Sequence, residues 1–161
     1  SRSTLKDEGL AAEAFSAIGN SGDPALLGAI EVGLGRSEDI RAKAAAAIRL
    51  MDPAQTAELV AARLADEHYE RVVQRLAEAA AMASLVHERP PPPTVITAAT
   101  KALHNAKADT ARRALISLLG AAKTDAAKAA LKAAFERGGS AATLRLIGTY
   151  VTADELMPPK N

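Results

Sequence analysis

The feature that most constrains the fold of this chain is a pattern of paired helices that recurs about every thirty residues. Asp23-Pro24 and Asp52-Pro53 lie 29 residues apart, counting from 23 to 52. Each Asp-Pro pair separates two segments whose apolar residues have helical spacing. Proline lacks the amide proton that would continue the first helix, but it fits the first turn of the second. Self-similarity at this period is typical of repeat proteins.

The apolar positions of the first two pairs predict the faces that each helix buries. Ser37 is the predicted cap of the third helix, with Glu38 and Asp39 in its first turn. Gly19-Asn20-Ser21-Gly22 is predicted to end the first helix in a turn. The predicted inward residues are Phe15, Ile18, Leu27, Ile30, Leu34, Ile40, Ala44, Ala47, Ile48, Met51, Ala57, Val60, Ala61 and Leu64.

Two further pairs follow in residues 68–106 and 109–139. The connection within the first of them contains Pro90–Pro93, which predicts a stiff polyproline II stretch. Lys123-Thr124-Asp125 is the predicted turn of the second. The predicted inward residues are Val72, Leu76, Ala79, Ala80, Met82, Val95, Ile96, Ala99, Leu103, Leu115, Leu118, Leu119, Ala127, Leu131 and Phe135.

These segments divide the chain into one repeat domain and two ends. Residues 140–156 are expected to form one more helix, which is half a repeat. We expect a flexible N-terminal segment at 1–7, the repeat domain at 8–156 and a disordered tail at 157–161. Each pair has an apolar face that it cannot bury alone, and stacking joins these faces into one core. The sequence thus predicts an all-α superhelix of about four and a half helix pairs.

The composition agrees with an all-α fold. Alanine, the best helix former, dominates the apolar residues, while aromatic residues are only 2% of the chain. A β-sandwich would contain more β-branched and aromatic residues. The formal net charge is +1, which gives no reason to expect a nucleic-acid partner. The chain has no cysteine, which excludes disulfides and cysteine-ligated zinc, and no apolar run long enough for a membrane span.

The second pair resembles HEAT repeats, and most closely the short, alanine-rich bacterial subtype related to phycobilin-lyase repeats. The residues that carry the resemblance are Asp39, Ile40, Arg41, Ala44, Ala47, Asp52 and Pro53, and residues 17–24 match the inter-helix turn. The resemblance covers about residues 8–137 and implies a HEAT-like, armadillo-type α-solenoid. It departs from the family pattern at Pro90–Pro93 and at the proline-free turn Lys123-Thr124-Asp125. HEAT repeats serve many functions, so the resemblance implies the fold more than the activity.

Candidate catalytic and metal-binding groups are sparse. His68, His87 and His104 do not form an HExxH motif, and no serine lies in a GxSxG motif. His104 lies near a helix end, where its charge favours the helix dipole. Residues 66–70 are Asp, Glu, His, Tyr and Glu, which permit either a weak metal site or a turn with capping charges; capping is the favoured interpretation. No cofactor, metal or catalytic residue is therefore predicted, and the chain is expected not to be an enzyme.

Binding surfaces were sought on the second helices, because these usually line the concave face of such solenoids. Two aligned rows of second-helix residues contain no basic stripe and no aromatic residue for base stacking. Arg112 and Arg113 make the last repeats more basic and are expected to lie on a solvated helix face. The predicted partner-binding residues are Glu58, Arg63, Lys101, His104, Lys128 and Lys132.

The favoured functional hypothesis is a non-catalytic module that binds or scaffolds another protein. The binding surface would be the concave face and the proline loop, although a stiff spacer is the alternative role of that loop. The alternative functions are a carrier of a lipid or other hydrophobic ligand and an accessory subunit of the phycobilin-lyase kind. A second copy or a neighbouring domain is expected at the C-terminal end if that end is uncapped. The sequence leaves the partner and the compartment open.

Overall fold

The computed structural model describes residues 2–157 and residue 159, and within them it is all-helical, with 77% of the chain in helices and no strand. None of the described helices combines the length and the apolar composition needed to cross a membrane. The ten α-helices are α1 (Arg2–Ser21), α2 (Leu27–Gly33), α3 (Glu38–Ala46), α4 (Pro53–Asp66), α5 (Glu70–Val86), α6 (Pro93–Asn105), α7 (Asp109–Ala122), α8 (Asp125–Arg137), α9 (Ala141–Gly148) and α10 (Ala153–Leu156). A 3₁₀ turn, Pro24–Leu26, leads into α2.

The helices pack mainly on their next-but-one neighbours. Helices α1, α3, α5, α7 and α9 contact one another in that order and form one row. In a second row, α4 contacts α6, α6 contacts α8, and α8 contacts α10. Contacts also join α4 to α5, α6 to α7, and α7 to α8, so the two rows pack against each other.

The two Asp-Pro pairs break the helices as predicted. Oδ1 of Asp23 accepts a hydrogen bond from Ala25 N, and Oδ1 of Asp52 accepts one from Ala54 N, each at 2.9 Å. Each proline occupies a first-turn position. Ser37 is the N-cap residue of α3, but its side chain makes no capping bond and its hydroxyl donates to Glu8 instead. The predicted start of α3 is confirmed, whereas the prediction that the Ser37 side chain caps it is wrong.

The predicted inward residues form the core, with one clear exception. The faces of α3, α6 and α7 are buried as predicted, including Ala44, Ala99 and Leu115, each of which is 0% exposed. Met82 was expected inward but is 47% exposed. The buried stripe of α5 runs through Leu76, Ala80 and Ala83, and Met82 points to the other side because it lies two residues, about 200° of helix, beyond Ala80.

The C-terminal end differs from its prediction. Residues 140–156 form two short helices, α9 and α10, instead of one helix. Thr152 and Glu155 form a capping box that starts α10, and the preceding residues 149–152 leave the helix. Because α9 packs on α7 and α10 on α8, the last unit is a short pair and not half of one.

Both predicted chain ends fall partly outside the described residues. The expected flexible segment 1–7 overlaps α1, since residues 2–7 are helical and Ser1 is outside the described part. Of the expected tail 157–161, Met157 and Pro159 are described and exposed, and the other three residues are outside the described part.

Candidate interaction surface

The six predicted partner-binding residues lie on one row of helices. Helices α4, α6 and α8, which carry two of them each, contact one another in succession. Glu58, Lys101 and His104 are exposed, whereas Arg63, Lys128 and Lys132 are half-buried. The structure therefore places all six on the same helix row and leaves at least part of each side chain accessible.

Lys128 is the member of this set with a described ionic partner. Its Nζ lies 3.0 Å from Oε1 of Glu155 on α10. The backbone N–H of Thr152, followed by the Lys128 ammonium and the Thr152 hydroxyl, lowers the pKa of Glu155 to about 2. Lys128 thus helps to hold the last helix on α8, in addition to lying at the surface.

The charge of this surface changes along the row. Glu58 and Asp66 accompany Arg63 on α4, whereas α6 carries Lys101 and His104 and no acidic residue. The acidic residues of α8 are Asp125 and Glu136, at its two ends, and its basic residues are Lys128, Lys132 and Arg137. The α6–α8 part of the surface is therefore the more basic part.

An open cleft of about 330 Å³ lies between α6 and α8. Its polar lining consists of Thr100 and His104 from α6, Arg112 from α7 and Arg137 from α8. Leu103 and three alanines, Ala130, Ala133 and Ala134, form its apolar lining. The cleft combines two guanidinium groups with a small apolar wall, and its lining contains no carboxylate.

The position of Arg112 contradicts the sequence prediction of a solvated helix face. Its side chain is buried, with 8% of the residue exposed, and its Nη2 donates to the carbonyl oxygen of Gly138 at 2.7 Å. Its Nε is buried and has no hydrogen-bond partner among the described residues. The sequence does contain an indication of this burial. Arg112 lies three and seven residues before the buried Leu115 and Leu119, so it shares their face of the helix.

Arg137 closes the carboxyl end of α6. Its Nη1 donates to the carbonyl oxygens of Leu103 at 3.2 Å and His104 at 2.5 Å, and its Nη2 donates to Ala106 O at 3.4 Å. The last carbonyls of a helix lack partners within the helix, and a guanidinium satisfies several at once. The sequence gives no sign of this role, because the contacts join residues that are 31 to 34 positions apart.

The proline loop packs against the connection between α3 and α4. His87 Nε2 lies 2.8 Å from Leu50 O, and Arg89 forms a 3.0 Å ion pair with Asp52. Pro91 is buried, and Pro93 begins α6. Residues 87–90 are exposed and Pro92 is half-buried, so the loop contacts the rest of the chain and still keeps an accessible surface.

The acidic cluster at 66–70 contains capping and pairing groups. Glu67 pairs with Arg41 at 3.3 Å and accepts a hydrogen bond from Tyr69 N at 3.1 Å. Glu70 accepts hydrogen bonds from Ala108 N. Within the part of the chain that the structure describes, no group of three or more His, Asp or Glu residues is arranged to hold a metal ion.

Comparison of the chain with protein-family models, with curated proteins and with solved structures gives no match.

Proposed function

We propose that this chain is a HEAT-like α-solenoid, and that it acts as a non-catalytic module that binds another protein along α4, α6 and α8. The observation that carries the proposal is the packing order of the helices, in which α1, α3, α5, α7 and α9 contact one another in succession, as do α4, α6, α8 and α10, while α2 packs on α3. Stacked helix pairs produce this order, and stacked pairs present long surfaces to partners.

Polar contacts between successive units support the same repeat arrangement. Arg49 donates to Asn20 at 2.6 Å, and Arg71 pairs with Asp39 at 2.5 Å. These partners are separated by 29 and 32 residues, which is about one repeat. The same side of successive units is therefore brought together, as in a linear stack.

The exposed residues of the second row support a protein partner. Lys101 and Lys132 are accessible, and α6 brings no acidic residue to neutralise them. A partner surface with acidic residues complements this charge. The cleft between α6 and α8 is open, so a partner's side chains could enter it.

The C-terminal end bears on the predicted contact with a second copy or a neighbouring domain. The last pair buries Ile147, Val151 and Leu156 and exposes Arg145 and Asp154. A polar outer face is what a terminal repeat needs for solubility. This favours a capped end, and analytical ultracentrifugation of the full chain tests it, because a dimer would reverse the inference.

The test of the binding proposal is affinity capture of partners by the full chain from the cells that produce it, with quantitative mass spectrometry. Alanine replaces all six predicted residues in one variant, and Lys101→Glu with Lys132→Glu forms a second. The control variant, Lys43→Glu with Arg145→Glu, makes the same change in charge on α3 and α9.

Partners that depend on the second row are expected to be lost from both variants and kept by the control. Retention of every partner by the six-residue variant would reject the proposed surface. The two other functions have their own readouts: lipid in an organic extract for a carrier, and visible colour from a bound chromophore for a lyase accessory.

A further inference from the structure

The charged side chain of Arg112 is largely buried. It is 8% exposed, its described hydrogen bond is to Gly138 O, and its Nε has no partner among the described residues. The charge of the nearby Asp109 carboxylate acts on Arg112, but its described ion pair and hydrogen bonds are with Arg113 at 3.1 Å, Thr143 at 2.5 Å and Ser140 at 2.8 Å, so Arg112 has no ion pair among the described residues. A buried charge without a counter-ion is costly, and an anion beside it offsets that cost.

The cleft that Arg112 lines has the chemistry to hold such an anion. Arg137 provides a second guanidinium, and its three bonds to carbonyl oxygens use both hydrogens of Nη1 and one of Nη2, which leaves the Nε–H and one Nη2 hydrogen without a described acceptor. The His104 ring brings a further hydrogen-bonding group, whereas the Thr100 hydroxyl donates to Ile96 O. No carboxylate contributes to the lining. Guanidinium groups match planar carboxylates, which accept hydrogen bonds through two oxygens at once.

The apolar part of the lining limits the size of the group that can carry the anion. Leu103, Ala130 and Ala134 are buried and give the cleft an apolar wall. The volume of about 330 Å³ is near the lower end of the range for ligand pockets, roughly 300–1,000 Å³. This space suits a short apolar group better than a long lipid chain.

We propose that the cleft between α6 and α8 binds a carboxylate carried on a short apolar group, held by Arg112 and Arg137 against Leu103. Two sources offer this chemistry: a free short-chain acid and the carboxyl terminus of a peptide that ends in an apolar residue. The cleft shares His104 with the proposed protein surface, but that surface would stand if the cleft bound nothing.

Nitrogen-15 NMR of the full chain tests the site, because the Nε–Hε group of Arg112 gives its own signal. Titration with hexanoate is expected to shift that signal in a saturable way. Hexanol, which lacks the charge, and inorganic phosphate, which lacks the apolar group, are expected to leave it in place at the same concentrations. Absence of a shift with hexanoate, or an equal shift with hexanol or phosphate, overturns the proposal.

A blocking variant separates binding in the cleft from general effects. Ala133 is an exposed lining residue, so Ala133→Trp fills the cleft without disturbing the core. Ala129→Trp, one turn earlier on α8, is the control, because a helical side chain leans towards the amino terminus and away from the cleft. Hexanoate affinity is expected to fall roughly tenfold or more in the first variant and to be kept in the second. Equal affinity in both variants overturns the site.

Binding measurements with a short peptide distinguish the two sources of the carboxylate. Acetyl-Leu-Leu with a free carboxyl terminus is compared with hexanoate and with the same peptide as its amide. Tighter binding of the free peptide than of hexanoate identifies a chain terminus, and the reverse identifies a free acid. Binding of the amide as tightly as the free peptide overturns the role of the carboxylate.

Discussion

The carboxylate of Glu70 accepts hydrogen bonds from the backbone N–H of Ala108, with both carboxylate oxygens 3.0 Å from the nitrogen. Glu70 is the first residue of α5, and Ala108 is the N-cap residue of α7. The methyl side chain of Ala108 provides no acceptor at the start of α7, and Glu70 on α5 instead binds the N–H of this N-cap residue, as the glutamate of a capping box does.

Removal of this cap is expected to destabilise the whole chain. Glu70→Ala leaves the N–H groups of Lys107 and Ala108, directly before α7, without their acceptor and removes a negative charge from the positive end of the helix dipole. We expect a loss of about 1 kcal/mol in the free energy of unfolding, as for other helix caps. Urea denaturation followed by circular dichroism measures it. The control Glu136→Ala, at an exposed position, is expected to change stability by less than about 0.5 kcal/mol, and an equal loss in both would contradict the capping role.

Two glycines of α2 are expected to respond to alanine with opposite signs. At Gly33 a new Cβ would lie 2.3 Å from the ring of Phe15 and 2.8 Å from Cβ of Ala44. We therefore expect Gly33→Ala to destabilise the fold by about 1–3 kcal/mol, as overpacking does. At Gly28 nothing lies within 4 Å, so Gly28→Ala is expected to stabilise it by about 0.5–1 kcal/mol. Chemical denaturation of both variants gives the two signs, and a stabilising Gly33→Ala would show that α1, α2 and α3 pack more loosely.

The orientation of α5 makes a further prediction. Leu76 is 0% exposed and Met82 is 47% exposed, although the sequence pattern suggests that both are inward. Leu76→Ala is expected to cost about 2–5 kcal/mol, because it removes buried apolar surface and leaves a cavity. Met82→Ala is expected to cost less than about 0.5 kcal/mol. Equilibrium unfolding decides between the two orientations, since a large loss at Met82 would restore the sequence prediction.

The pH dependence of stability follows from Glu155. Its pKa is lowered from 4.5 to about 2 by the Thr152 N–H and then by Lys128, so its contribution is present above pH 4.5 and is lost as the pH falls towards 2. We expect Glu155→Gln to have a lower Tm than the parent protein near neutral pH, and the difference between them to shrink across that window. Calorimetry at several pH values measures it. Asp154→Asn, the neighbouring control, should leave the pH profile unchanged, and a constant difference for Glu155→Gln would contradict the capping role of the carboxylate.

The all-helical fold and most helix positions follow from the sequence because local rules govern them. The Asp-Pro breaks depend on proline geometry and on an aspartate two residues before the amide that it caps. Most buried positions follow from the 3.6-residue period, since a helix turns the same face to the core wherever the period is kept. The six proposed binding residues were likewise placed on second helices by this pattern, although their binding role stays a prediction.

Contacts between residues that are distant in sequence could not be predicted in the same way. Glu70 and Ala108, or Arg137 and His104, lie 38 and 33 residues apart, and no local pattern pairs them. The division of residues 140–156 into α9 and α10 is likewise explained by contacts with distant parts of the chain, because α9 packs on α7 and α10 packs on α8.

The sequence by itself determined the helices and the direction of their apolar faces, because these depend on neighbours within a few residues. Only the tertiary structure decided which polar side chains make contacts that stabilise the fold and which remain exposed. Arg112 shows the reason: its surroundings come from α6, α8 and the turn at Gly138. The burial of a charge depends on chain segments that are distant in sequence and meet only when the units pack together.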